Sequence, residues 1–153
     1  MMSDFIHNRV VVAAFLAWMI GQFLKFPLEY LLNKRWDWSI MFSSGGLPSS
    51  HSSLVTAVAL TIGIQEGFDS AVFALAAAIG MIVIYDAAGV RRQAGIHAER
   101  INAIMKSFFE SGQLGEDELD DLKEMLGHTP LEVVSGVLLG ILISLAVLAM
   151  MPL

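Results

Sequence analysis

The chain has 153 residues, 56% of them hydrophobic, with a mean hydropathy of +0.66 and a formal net charge of −6. That length suits one domain, residues 1–153, and that hydropathy lies above the range of a soluble globular protein. No cysteine is present, which excludes disulfides and thiolate chemistry, and no basic stripe with interleaved aromatics exists, which argues against a nucleic-acid partner.

Apolar residues cluster in four blocks that are long enough, or nearly so, to cross a bilayer as helices. The first covers residues 10–32. No small-residue cleavage site follows it, so it reads as a retained span, and Lys25 and Pro27 inside it predict a kink or an early end. Lys34 and Arg35 follow. The polar stretch "GGLPSSHSS", 45–53, then opens a short second block, 49–65, with Pro48 expected in its first helical turn. The third block, 69–88, carries small residues (Ala76, Ala77, Ala78, Gly80) suited to close helix packing in lipid, and ends on Asp86, Arg91 and Arg92. An amphipathic segment, 92–127, comes next. Within it Ile96, Arg100, Ile101, Ile104 and Phe108 recur at roughly helical spacing, and residues 116–126 form a second, acidic helix. The run "GEDELDDLKE", 115–124, supplies most of the net negative charge. The fourth block, 131–151, contains Gly136-x-x-x-Gly140, a spacing that serves a homodimer face or, inside a bundle, an internal contact. These elements predict an all-α integral membrane bundle of about four spans, with one or two amphipathic helices on one face.

Four spans put both termini on one side of the membrane and the segments 33–48 and 89–130 on the other. His51, Asp86, Arg91, Arg92, His128 and Glu132 then all fall at that second face, with Lys34 and Arg35 nearby. The spans follow from apolar runs alone, so the convergence of these residues is independent of how the spans were drawn. At a helix start, free backbone N–H groups attract an anion. Ser49 and Ser50 add hydroxyls, and Gly45 and Gly46 allow close backbone approach. His128 and Glu132, four apart, are expected to share a helix face, so that the carboxylate takes the Nδ1 proton and leaves Nε2 as a nucleophile. Arg91 and Arg92 are suited to grip phosphate oxygens. Together these parts fit a two-step phosphoryl transfer. Spacing does not decide which histidine attacks, though Glu132 favours His128.

The motifs resemble a known family. "LPSSHSS" is similar to the P-S-G-H element of the type-2 phosphatidic acid phosphatases, relatives of the vanadium haloperoxidases, and "HTPLEVVSGVLLG", 128–140, is similar to their last element. With "YDAAGVRRQAG", 85–95, they resemble the divergent branch of that family over about residues 10–150. The resemblance implies that His51 protonates the leaving group, His128 attacks phosphorus and Glu132 orients it. It also implies a lipid phosphate or diphosphate substrate and neither metal nor cofactor. Ser50 stands where the family has glycine, and Glu132 where it has aspartate. Leu122 replaces an arginine six residues before the last histidine. The family's first element has no clean match, and Lys25, Lys34 and Arg35 are the candidates for its cations.

Simpler readings compete with these. Arg91, Arg92, Lys34 and Arg35 also serve as interface anchors, Ser49 and Ser50 as helix caps, and Asp86 as an ion-pair partner. Trp18, Trp36 and Trp38 read as lipid-facing or belt residues. A non-hydrolytic protein that binds or moves phospholipid is the competing function. Of the nine Lys and Arg, only Arg9 clearly lies on the side of the termini. The positive-inside rule therefore places the site at the cytoplasmic face, and the resemblance implies a bacterial inner membrane.

Overall fold

The computed structural model describes residues 7–34, 45–111 and 127–151, and within its helices the side chains of residues 32, 33, 91, 92 and 109 lie outside the description. The described residues form five helices: α1 (Arg9–Asn33), α2 (Ser50–Glu66), α3 (Ala71–Ala88), α4 (Val90–Glu110) and α5 (Pro130–Met150). Each apolar block becomes a helix displaced by no more than two residues at either end. The acidic helix expected at 116–126 lies outside the described residues.

Three helical stretches are long and apolar enough to cross a membrane: Arg9–Leu31, one within Ala71–Phe108, and Pro130–Met150. Among the described residues, the fourth expected span, α2, is a helix that falls below that length. At 17 residues α2 is about 25 Å long, short of the hydrocarbon thickness. It sits at the centre, packed against α1, α3 and α5. Protein covers most of it, and its buried serines and Thr61 meet other helices. Pro27 neither ends nor interrupts α1, which runs on to Asn33. Lipid-embedded helices tolerate proline where neighbouring groups satisfy the freed carbonyl.

Close approaches set the helix directions. Gly21 and Ala17 of α1 face Ser50 and Ser53 of α2, so these two run antiparallel. Gly136, Gly140 and Ser144 of α5 face Ser49, Ser53 and Thr61 in turn, so α5 runs parallel to α2. Gly80 of α3 faces Val55, and Phe73 lies beside Gly63. A Cβ on Gly136 would strike the Ser49 carbonyl oxygen, and one on Gly140 would meet the Ser53 carbonyl oxygen. The small-residue pair is therefore consumed inside the bundle, against α2.

Burial is inverted relative to a soluble protein. The largest side chains with under 2% exposure include Lys25, Thr61 and five serines, and His128 is 2% exposed. Ile82 and Leu142 meanwhile stand 69% and 64% exposed. Such a surface is stable in hydrocarbon and not in water, where apolar patches of this extent associate. The chain is an integral membrane protein. Trp18, mid-way along α1 and exposed beside Phe15, looks outward; Trp36 and Trp38 lie outside the described residues.

Candidate functional site

Two helix starts meet at one end of the bundle. Gly46, at φ +97°, turns the chain into α2 in a conformation few residues other than glycine adopt. Pro48 does not enter the first turn, as the sequence pattern suggested. It precedes the N-cap Ser49, whose Oγ accepts from Ser52 N (3.3 Å) and from Ser52 Oγ (3.0 Å). The Ser49 hydroxyl is therefore engaged in capping. Ser49 N–H donates to the Glu132 carbonyl (2.9 Å), fastening the start of α2 to the first turn of α5. Ser50 is buried against Gly21, where even a Cβ would come within 3.2 Å of the Ser50 Cα. The side chain that Ser50 adds is accommodated by the glycine on the neighbouring helix.

The start of α5 corrects a second expectation. His128 and Glu132 do not share a helix face, because the N-cap is Thr129 and His128 lies before it. Thr129-Pro130-Leu131-Glu132 is a capping box. Glu132 N donates to Thr129 Oγ1 (3.4 Å), and Glu132 Oε2 accepts from Thr129 N (3.2 Å). The same Oε2 lies 2.9 Å from His128 Nδ1. One carboxylate oxygen thus closes the cap and holds the imidazole. That gives a physical reason for the longer glutamate, since an aspartate would have to reach both partners from one methylene closer to the backbone. His128 N–H donates to the Ala87 carbonyl (3.0 Å), so the end of α3 also fixes this residue.

The rings of His51 and His128 face each other with centroids 6.1 Å apart and planes inclined at 59°. His128 Nε2 is buried and has no hydrogen-bond partner among the described residues. With the Nδ1 proton donated to Glu132, that nitrogen presents its lone pair. Lys25 approaches from α1. It lies one turn beyond Gly21, at the level where α2 begins, and is 1% exposed. The positive ends of α2 and α5 point the same way.

The remaining predicted residues distribute as follows. Asp86 is half-buried and immediately precedes Ala87. Lys34 caps α1 in the left-handed region (φ 54°), exposed, with its ammonium 5.9 Å from the centre of the Tyr30 ring. Arg35 lies outside the described residues, as does the 115–124 run with Leu122. The backbone of Arg91 and Arg92 forms the first turn of α4, one turn past Ala87, and their side chains lie outside the description. Two contributors were not anticipated, Ala87, whose carbonyl positions His128, and Gly21, which lets the start of α2 approach; Gly136 makes the internal contact its spacing allowed, against Ser49. The T-P-L-E capping signature, readable at 129–132, was the signal that His128 stands outside the helix.

Comparison with known proteins agrees with these motifs. No solved structure matches the chain. It is 36% identical over 150 residues to the uncharacterized membrane protein YuiD of Bacillus subtilis (strain 168), a match covering 93% of this chain and 95% of that one. The model of the Divergent PAP2 family matches residues 6–143, and the chain belongs to that family.

Proposed function

We propose that the protein is a lipid phosphate phosphatase that works through a phosphohistidine. The observation that carries this reading is the state of His128: Nδ1 tied to Glu132, Nε2 buried without a partner among the described residues, and a second imidazole 6.1 Å away. His128 Nε2 attacks phosphorus, forming a P–N bond as the bond to the lipid oxygen breaks. His51 gives its proton to that oxygen. Water then attacks the phosphohistidine, surrendering a proton to His51, and inorganic phosphate leaves as His128 regains its lone pair. Glu132 stabilises the imidazolium character that develops on its partner.

Charge on the phosphoryl oxygens is met by Lys25 within the bundle, by the two helix starts, and by Arg91 and Arg92 from α4. Gly46, Ser49 and Ser50 shape the backbone around the anion. In this reading one domain spans the membrane four times, with α2 as the short protein-enclosed span, and the site opens at the cytoplasmic face of a bacterial inner membrane.

The test is phosphate release in detergent from phosphatidate, phosphatidylglycerol phosphate and polyprenyl diphosphates, with EDTA present. At least one substrate is expected to be turned over, and His128→Ala is expected to lose about 10³–10⁴-fold. Labelled phosphate should be trapped on the wild-type chain by rapid denaturation. Activity abolished by EDTA, or retained by His128→Ala, would overturn the mechanism. A protein that only binds or moves phospholipid would release no phosphate while still retaining lipid.

A further inference from the structure

We propose that α4 is the protein's contact with an anionic lipid surface. Its apolar stripe lies in the interface, on the membrane face that carries the histidine pair, and its cations meet lipid phosphates. The partner is the bilayer itself, so the proposal does not rest on the phosphatase reading.

Val90, Ala94, His97, Ile101, Ile104 and Phe108 follow one another at alternating steps of four and three residues, so they share one face of α4. All six are exposed, Ile104 and Phe108 at 54% and 44%. Glu99, Ala103, Lys106 and Glu110 occupy the opposite side. Among the described helices α4 packs chiefly against α3. The helix therefore presents a continuous apolar face that water does not stabilise.

What covers that face follows from where α4 starts. Val90 comes three residues after Ala87, whose carbonyl holds His128, so α4 leaves the bundle at the level of the site, where the apolar run of α3 ends. At the junction, Tyr85 on α3 and Val90, Ala94 and His97 on α4 border one open hollow of about 610 Å³. Tyr85 is 76% exposed and continues the row of Met81 and Ile82, which face lipid. The stripe of α4 is thus turned to the side on which α3 meets lipid, and the two surfaces are continuous. Charge then selects the lipid. Four of the chain's nine Lys and Arg fall on α4, against Glu99 and Glu110, although the whole chain carries −6. Arg100, exposed one turn before Ile104, stands at the edge of the stripe, from which a guanidinium reaches headgroup phosphates. A partner helix would require neither this continuity with the lipid-facing surface of α3 nor positive charge concentrated in an acidic chain.

The chain has no cysteine, so a single introduced thiol reports one position. Ile101→Cys on the stripe and Ala103→Cys on the opposite side, both at exposed positions, are spin-labelled in the full-length protein. Each is reconstituted in nanodiscs of phosphatidylcholine alone or with phosphatidylglycerol. Collisions with oxygen, which concentrates in lipid, are compared with collisions with a water-soluble nickel chelate. In the anionic discs the label at 101 is expected to favour oxygen and the label at 103 to favour nickel. Arg100→Glu with Lys106→Glu is expected to lower the lipid-inserted population at 101 by about tenfold or more, and neutral discs should lower it in the unsubstituted helix. The melting temperature of the bundle should stay unchanged in both cases, since neither cation is buried. Equal nickel access at 101 and 103 would mean that water covers the stripe. Shielding of 101 from both reagents would mean that protein covers it, another segment of the chain or a second copy. Equal insertion in neutral and anionic discs, unmoved by the charge reversal, would remove the anionic lipid from the account. Each of these results overturns the proposal, and none depends on whether the protein releases phosphate.

Discussion

At the end where α1 begins and α2 stops, the bundle closes on Ala13, Ala17, Ala57 and Val147, with Thr61 and Ser144 sharing one hydroxyl hydrogen bond of 2.8 Å. At the opposite end the same helices bury a lysine, a histidine with its glutamate, and four serines. Only the first pattern is what membrane packing requires. Small residues let helices approach, and an occasional hydroxyl pair satisfies itself. Lys25 and the His128–Glu132 pair are costly to place in a bundle, and ionisable groups at such depth mark a site of function. Under the proposed function, the contrast puts the chemistry at one end and leaves the other to assembly.

The sharpest way to break that contrast is to remove charge from the polar end without disturbing its packing. Glu132→Gln keeps an acceptor for both Thr129 N–H and His128 Nδ1–H, so the capping box survives. Phosphate release is expected to fall about 10²–10⁴-fold while the melting temperature in detergent stays near wild type. Thr129→Ala is the converse: it removes the cap, costs about 1 kcal/mol of stability, and leaves turnover largely intact. If Glu132→Gln loses stability and keeps activity, the polar end is structural after all.

Next in size is a lesion in the packing that supports the site. A side chain at Gly136 meets the Ser49 carbonyl oxygen and lies about 3 Å from the Cβ atoms of Ser49 and Ser52, so neither backbone nor side chain can yield cheaply. Gly136→Val is expected to destabilise the detergent-solubilised protein by about 1–3 kcal/mol and to lower activity in proportion, since it pushes apart the helix starts that carry His51 and His128. Melting followed by circular dichroism, alongside phosphate release, reads both. The equivalent change at Ala78, which is exposed, should be silent.

The same contrast explains what was legible beforehand. Helix positions followed from apolar runs because hydrophobic length is the dominant constraint in lipid. The gathering of His51, His128 and Glu132 at one end needed only an even alternation of spans. Facing was harder. Lys25 and Lys34 look alike in sequence, yet one is buried within the bundle and the other sits exposed over Tyr30, a difference set by which face of α1 meets α2. Pro27 invited a break, yet α1 runs on through it to Asn33. His128 was assigned to the helix because a four-residue spacing was read before the cap that interrupts it. The glycines at 21 and 136 were visible as small residues, but their partners, the motif serines themselves, were not.

The smallest effect belongs to the apolar end and tests whether its one polar contact matters. Thr61 Oγ1 and Ser144 Oγ are both fully buried and 2.8 Å apart, and replacing either alone leaves the other hydroxyl in a setting without water. Thr61→Val, Ser144→Ala and the double variant form a cycle in which the coupling is expected to be about 0.6 kcal/mol, typical of hydroxyl pairs between membrane helices. Phosphate release should be unchanged in all three, because the pair lies near the far end of α2 from His51. A coupling beyond about 1.7 kcal/mol, outside the measured range for such pairs, would mean that this end also depends on polar contacts. A loss of turnover at unchanged stability would mean that the two ends are not separable, and that α2 transmits strain along its length to the histidine at its start.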